Sequence, residues 1–242
     1  MLPLDPLHAV VALGPLATYL IVLGSINLSR RPLLTTGGRD ALALALALAG
    51  LVAAGPLELF MPERAAVLMG GWVWTLLLAL YFLAVVLLIL AMRPRLVIYN
   101  SNVEQIRPIL AAVVAKLDAE ARWAGEALVM PQLGVQLHIE GWPILQNVQL
   151  VSAGPNQNLI GWRRLEVELA AGLRKTRHTG NLFGVIATSL GLCLAAVLTW
   201  ILAHDPAGVT QALNEMLRRP PAAPRQLTPV VPSAPGATDG HP

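Results

Sequence analysis

The sequence is poor in charge. Only 13% of its 242 residues are Asp, Glu, Lys or Arg, about half the share typical of a soluble globular domain. That excludes an ordinary water-soluble protein, and 55% hydrophobic residues exclude a disordered one. Cysteine is nearly absent. Cys193 stands alone, so the chain has neither an intrachain disulfide nor a cysteine metal cluster. Inside a long apolar run, Cys193 reads as a small packing residue. Glycine shows no triplet period, which rules out collagen. No GxGxxG, P-loop, HExxH, CxxC or GxSxG occurs, and each of those motifs would imply a specific chemistry. No catalytic residue, metal or cofactor is therefore assigned.

Long apolar sequence is what the chain has in abundance, with a mean hydropathy of +0.62. A spanning helix needs about 20 mostly apolar residues. Four stretches qualify: 9–28, 41–61, 70–92 and 179–204, the last with its apolar run from Asn181 to Ala203. None alternates as a barrel strand does. Asp5 is the only charge between Met1 and His8, so the first run lacks the basic start of a signal peptide and reads as a retained helix.

Lys and Arg near helix ends set orientation. Arg30, Arg31, Arg39, Arg93, Arg95, Arg174, Lys175 and Arg177 all flank the same side. Thirteen of the 17 basic residues lie there. That side should be the cytoplasm of a bacterial inner membrane, with both termini outside. Trp72, Trp74 and Trp200 mark the opposite face as an interfacial belt.

The spans hold little polarity. Glu58, beside Pro56, reads as an interfacial carboxylate, with an ion or proton site as the alternative. Ala41, Ala45, Ala49 and Ala53 share one helical face. So do Ala187, Gly191, Ala195 and Thr199. Such small faces allow close helix packing, within this unit or against another subunit.

Residues 93–178 have a soluble composition. Leu96 to Tyr99 reads as a buried strand. Ser101-Asn102-Val103-Glu104 resembles a capping box, and a helix with Ile106, Leu110, Val113 and Val114 on its apolar face follows. Pro108 leaves that helix start open. Short strands are expected around Ala121–Trp123 and Ala127–Met130. Gly134–Glu140 and Asn147–Ser152 alternate like the arms of a hairpin. A second helix carries Trp162, Leu165, Leu169 and Leu173. The expected insert is a small α+β cytoplasmic domain, two helices on a mostly antiparallel sheet. The whole reads as an α-helical polytopic membrane protein.

On the polar strand face, His138 and Glu140 point the same way, and Arg163 opens the second helix. These three residues are the candidate ligand-binding group; a solvated surface is the competing reading. Arg174, Lys175 and Arg177 suit contact with anionic lipid. The basic residues are too few, and too far from any aromatic platform, for nucleic acid.

Beyond the last span, residues 205–219 read as an amphipathic helix, and 220–242 as a Pro-rich disordered tail. The function expected is a non-enzymatic membrane scaffold or accessory subunit. Its partners would be the bilayer and other membrane-protein subunits, with a homo-oligomer also open. The rivals are a transport or channel component, and a ligand sensor or enzyme using the sheet face.

Overall fold

The computed structural model describes residues 6–57, 72–155, 157–176 and 181–204. The readings made for Glu58, Arg177, the 205–219 helix and the tail lie outside the described residues. So do the side chain of Trp74 and the end of the second apolar run.

The described residues form six α-helices and one six-stranded sheet. The helices are α1 (Pro6–Leu28), α2 (Gly37–Val52), α3 (Trp72–Ala91), α4 (Val103–Leu117), α5 (Leu159–Leu173) and α6 (Leu182–His204). The strands are β1 (Leu33–Thr36), β2 (Arg95–Tyr99), β3 (Arg122–Ala124), β4 (Ala127–Met130), β5 (Val135–Trp142) and β6 (Asn147–Ser152).

Three helices are long and apolar enough to cross a membrane: His8–Leu28, Gly37–Gly55 and Leu182–His204. Within α3, the apolar stretch Thr75–Ala91 is shorter. α3 as a whole runs through 20 mostly apolar residues, Trp72–Ala91. The second apolar helix begins at Gly37, four residues before the expected start, and passes into a π turn over Ala53–Leu57.

α1 is the centre of the apolar bundle and packs against both α6 and α2. Missing side chains make the close approach. A Cβ on Gly50 of α2 would fall 2.0 Å from the Val11 carbonyl oxygen of α1. A Cβ on Gly191 of α6 would fall 2.8 Å from Ile21 Cγ1. The buried stripe of α6 is Gly184, Ala187, Gly191 and Leu198. It shares Ala187 and Gly191 with the expected face, of which Ala195 is half-buried and Thr199 exposed. On α2, Gly37, Ala47 and Gly50 are the buried small residues, while Ala41, Ala45, Ala49 and the following Ala53 are half-buried. Cys193 sits on the exposed side of α6 and not in the packing, which corrects the sequence expectation. α3 is tied to α2 through Tyr81, whose hydroxyl donates to the Ala45 carbonyl at 2.8 Å.

The sheet is antiparallel throughout, in the order β1-β2-β6-β5-β4-β3. Alternation puts Leu137 and Ile139 of β5 with Val148 and Leu150 of β6 on one face. That face is covered by α4 and α5, through Ile106, Leu110, Val114, Leu165 and Leu169. All of these except Val114 and Ile139 are fully inaccessible. Burying each such side chain contributes about 1.5–3 kcal/mol.

Two local readings change. The α4 cap is Asn102, one residue later than expected. Its side chain accepts from Gln105 N at 2.9 Å, and Gln105 reaches back to Asn102 N at 3.4 Å. Helix α4 also continues through Pro108, which lies inside it beyond the first turn. The larger change is β1. Residues 33–36 join the first two apolar helices, yet they form an edge strand of the sheet. Leu34 pairs with Ile98, and Thr35 with Val97. The sheet is therefore not built from the 93–178 insert alone.

Candidate functional site at the junction of bundle and sheet

Strand β2 explains the junction. Leu96 and Ile98 enter the core beneath α4 and α5. Arg95, Val97 and Tyr99 alternate to the other face, where the apolar helices end. Val97 is 1% exposed, so the strand is covered on both sides. Tyr99 donates a hydrogen bond to Asp40 in the first turn of α2. Arg95 reaches the other oxygen of Asp40 at 3.9 Å. The Arg95 side chain lies directly over Gly37, where a Cβ would fall 2.2 Å from its Cγ. Tyr19 of α1 stands close enough to interact with both Tyr99 and Asp40.

Burial raises the Tyr99 pKa above its ordinary value, and its hydrogen bond to Asp40 and that carboxylate's negative charge add to the rise; Arg95 opposes them. The phenol thus stays a donor at any ordinary pH. The physical cause is plain: ionising it would bury a second negative charge beside the first.

A second polar knot joins three segments. Asn27 near the end of α1, Asn100 after β2 and Asn181 before α6 are all buried. Asn181 Nδ2 donates to Asn27 Oδ1 at 3.1 Å and to Asn100 Oδ1 at 3.3 Å. Asn181 Oδ1 caps α6 by accepting from Gly184 N at 2.7 Å. Asn100 Nδ2 donates to the Ser29 carbonyl at 2.6 Å. Asn100 also carries φ 59°, a left-handed conformation that asparagine tolerates better than most residues. Buried amides are favourable only when bonded. This geometry fixes the relative positions of α1, α6 and the sheet.

Beside β2 lies a cavity of about 590 Å³. Its walls are the start of α2, the end of α3, the start of β2 and the first turns of α5. Arg93, Arg95 and Arg163 line it together with Glu166.

The residues expected to form a ligand group are not brought together. His138 lies on β5 opposite Ala127 and approaches Glu126 at 3.8 Å. Both partners are substantially exposed, at 45% and 59%. Glu140 pairs in register with Gln149 and is exposed. Arg163 lies on α5, in the layer that covers the opposite face of the sheet, and faces the cavity. Among the described residues, no group of three or more His, Cys, Asp or Glu could hold a metal.

Arg174 and Lys175 follow α5, with Arg174 as its C-cap. Trp72 is exposed at the start of α3. Trp200 is exposed on α6, its ring 4.3 Å from that of His204. Other polar groups of the apolar helices face different neighbours. Thr188 donates within its own helix to Gly184 O at 2.8 Å, Ser189 is exposed, and Tyr19 turns toward Tyr99.

Sequence reasoning missed Asn27, Asp40, Asn100 and Asn181. Asp40 follows Arg39 and resembles a topogenic flank. The asparagines are single polar residues at the ends of apolar runs, and only their three-way meeting distinguishes them. Asp118 was missed as well. It is buried at the end of α4 and accepts from Glu120 N and Gln132 N, each at 2.9 Å. No family model matches this chain, and no curated protein or solved structure is significantly similar to it.

Proposed function

We propose that this chain is a non-enzymatic membrane subunit that holds an α+β docking domain in a fixed pose at the inner surface of a bacterial cytoplasmic membrane. In this reading α3 is a fourth span, both termini are outside, and residues 93–178 face the cytoplasm. The observation that carries the proposal is the shared edge strand. A passive anchor needs only a linker. Here the α1–α2 connection is hydrogen-bonded into the sheet as β1, and the asparagine knot adds a second lock. A docking platform benefits from such rigidity, because a partner bound to a preset surface loses less orientational freedom on complex formation.

The domain also offers apolar surface at the turn between β5 and β6. Trp142, Ile144 and Leu145 are 54%, 86% and 37% exposed. Large exposed apolar groups in one place suit a protein contact. The test is gentle extraction from the native membrane, followed by mass spectrometry of the intact assembly. Stoichiometric membrane-protein companions are expected, and the Ile144→Asp/Leu145→Ser variant should lose them. A lone protomer or a homo-oligomer from the unaltered chain contradicts the proposal.

A further inference from the structure

The cavity beside β2 has two chemistries in one space. Its charged lining is three arginines against one acid, Glu166. Arg95 also interacts with Asp40, but at 3.9 Å. Its Nε is buried and has no hydrogen-bond partner among the described residues. That nitrogen is enclosed against Gly37, but the side chain keeps 28% of its surface accessible, so the guanidinium can still meet an oxygen-rich anion in the cavity it lines. The α2 N-terminus forms one wall and adds positive potential of the same sign.

Apart from Thr36, the remaining lining is apolar and continuous with the bundle. Ile89 and Met92 belong to the end of the apolar α3. Leu159 and Ile160 open α5 and are 70% and 69% exposed. Two large aliphatic side chains this exposed have no reason to face water beside the end of an apolar helix. They suit the acyl boundary of a bilayer, where an amphipathic helix buries its apolar side by about 5–10 Å. Arg93 and Arg163 are both exposed at the same cavity.

We propose that this cavity binds the headgroup phosphate of an anionic phospholipid. Arg93, Arg95 and Arg163 contact the phosphate oxygens, and Leu159 and Ile160 lie against the first methylenes of the acyl chains. A bound lipid would thereby bridge α5 of the domain to α2 and α3 of the bundle. The inference depends on the apolar helices lying in a membrane, and not on the docking role.

The test is native mass spectrometry of the full, delipidated chain in a neutral maltoside detergent. It is titrated separately with dioleoyl phosphatidylglycerol, dioleoyl phosphatidylcholine and inorganic phosphate. Phosphatidylglycerol should saturate at one tight site and bind at least tenfold more strongly than phosphatidylcholine. Each arginine near anionic lipid is worth about fivefold in affinity, so Arg93→Gln/Arg163→Gln should weaken phosphatidylglycerol about 30-fold. Lys116→Gln/Arg122→Gln, exposed basic residues outside the cavity, should leave it within threefold. Leu159→Ser/Ile160→Ser should weaken the lipid and not inorganic phosphate. If the double arginine variant fails to fold, Arg163→Gln alone, at an exposed position, should still lose about fivefold. Equal binding of the two lipids overturns the proposal. So does a phosphatidylglycerol affinity that ignores the cavity arginines or falls as far in the control pair. Inorganic phosphate binding as tightly as the lipid, with Leu159 and Ile160 irrelevant, would identify a free-phosphate site and overturn the lipid assignment.

Discussion

Replacing Asn181 should loosen the junction in two measurable steps. In Asn181→Ser the hydroxyl keeps the cap on Gly184 N but cannot reproduce the two Nδ2 bonds to Asn27 and Asn100. Each buried hydrogen bond contributes about 1 kcal/mol net, so serine should cost about 2 kcal/mol. Asn181→Ala loses the cap as well, another ~1 kcal/mol, for about 3 kcal/mol in all. A chain of this size shifts its Tm by about 2–4 °C per kcal/mol. The expected losses are therefore about 4–8 °C for serine and about 6–12 °C for alanine. The assay is thermal unfolding of the purified full chain in detergent, with amide hydrogen exchange followed at 27–31 and 97–101. Exchange should rise in both segments together, since the knot joins them. Shifts below 1 °C for both variants, or faster exchange confined to α6, would refute the argument that the asparagines lock bundle and sheet.

The helix contacts give a paired prediction: Gly191→Val should disrupt α1–α6 packing, because its Cβ would crowd Ile21 at 2.8 Å, whereas Gly14→Ala meets nothing within 4 Å and should be tolerated; detergent Tm separates the two. Leu165→Ala removes a fully buried side chain from the α5 face of the core and should cost about 2–5 kcal/mol, measured by denaturant unfolding. The Tyr99 pKa is raised by burial first and by its bond to the Asp40 carboxylate second. The folded state therefore holds that proton more tightly than the unfolded state. Its contribution to stability is complete below about pH 10 and declines as pH rises above it, so absorbance at 295 nm should show Tyr99 ionising only with unfolding, and Tyr99→Phe should remove that component. His138→Ala should change stability by no more than about 0.5 kcal/mol, as expected for an exposed pair, and a larger loss would indicate a role beyond its 3.8 Å approach to Glu126.

The parts of the fold that were legible in the sequence have strong periods. The alternation in 134–140 and 147–152 predicts β5 and β6, and the apolar stripe through Trp162, Leu165, Leu169 and Leu173 predicts α5. What was illegible depends on pairing across long separations. Leu33-Leu34-Thr35-Thr36 is too short to stand out between two membrane runs, and becomes a strand only because β2 offers it an edge. Pro32 before it and the paired threonines were the available signal, since proline commonly precedes an edge strand. The cap of α4 moved from Ser101 to Asn102 because both are good caps and only Gln105 is placed to answer Asn102. The grouping of His138, Glu140 and Arg163 failed for a topological reason. The first two face away from the helical layer, and Arg163 stands on it. Arg93 and Arg95 looked like topogenic flanks, and Arg163 like part of a separate ligand group, until the fold placed all three around one space.

The shared strand is the central claim, and cysteine cross-linking in native membranes tests it most directly. In a Cys193→Ala background, Leu34→Cys/Ile98→Cys and Thr35→Cys/Val97→Cys place paired residues directly across β1 and β2. Directly paired residues lie about 4.5–5.5 Å apart, within disulfide reach. At least one of these pairs should oxidise rapidly and nearly completely, while Leu34→Cys/Val97→Cys, on opposite faces, should not. Efficient cross-linking in the register-matched pairs alone is the predicted result. Equal, slow cross-linking in all three would contradict it, because the 93–178 segment would then hang free of the α1–α2 connection.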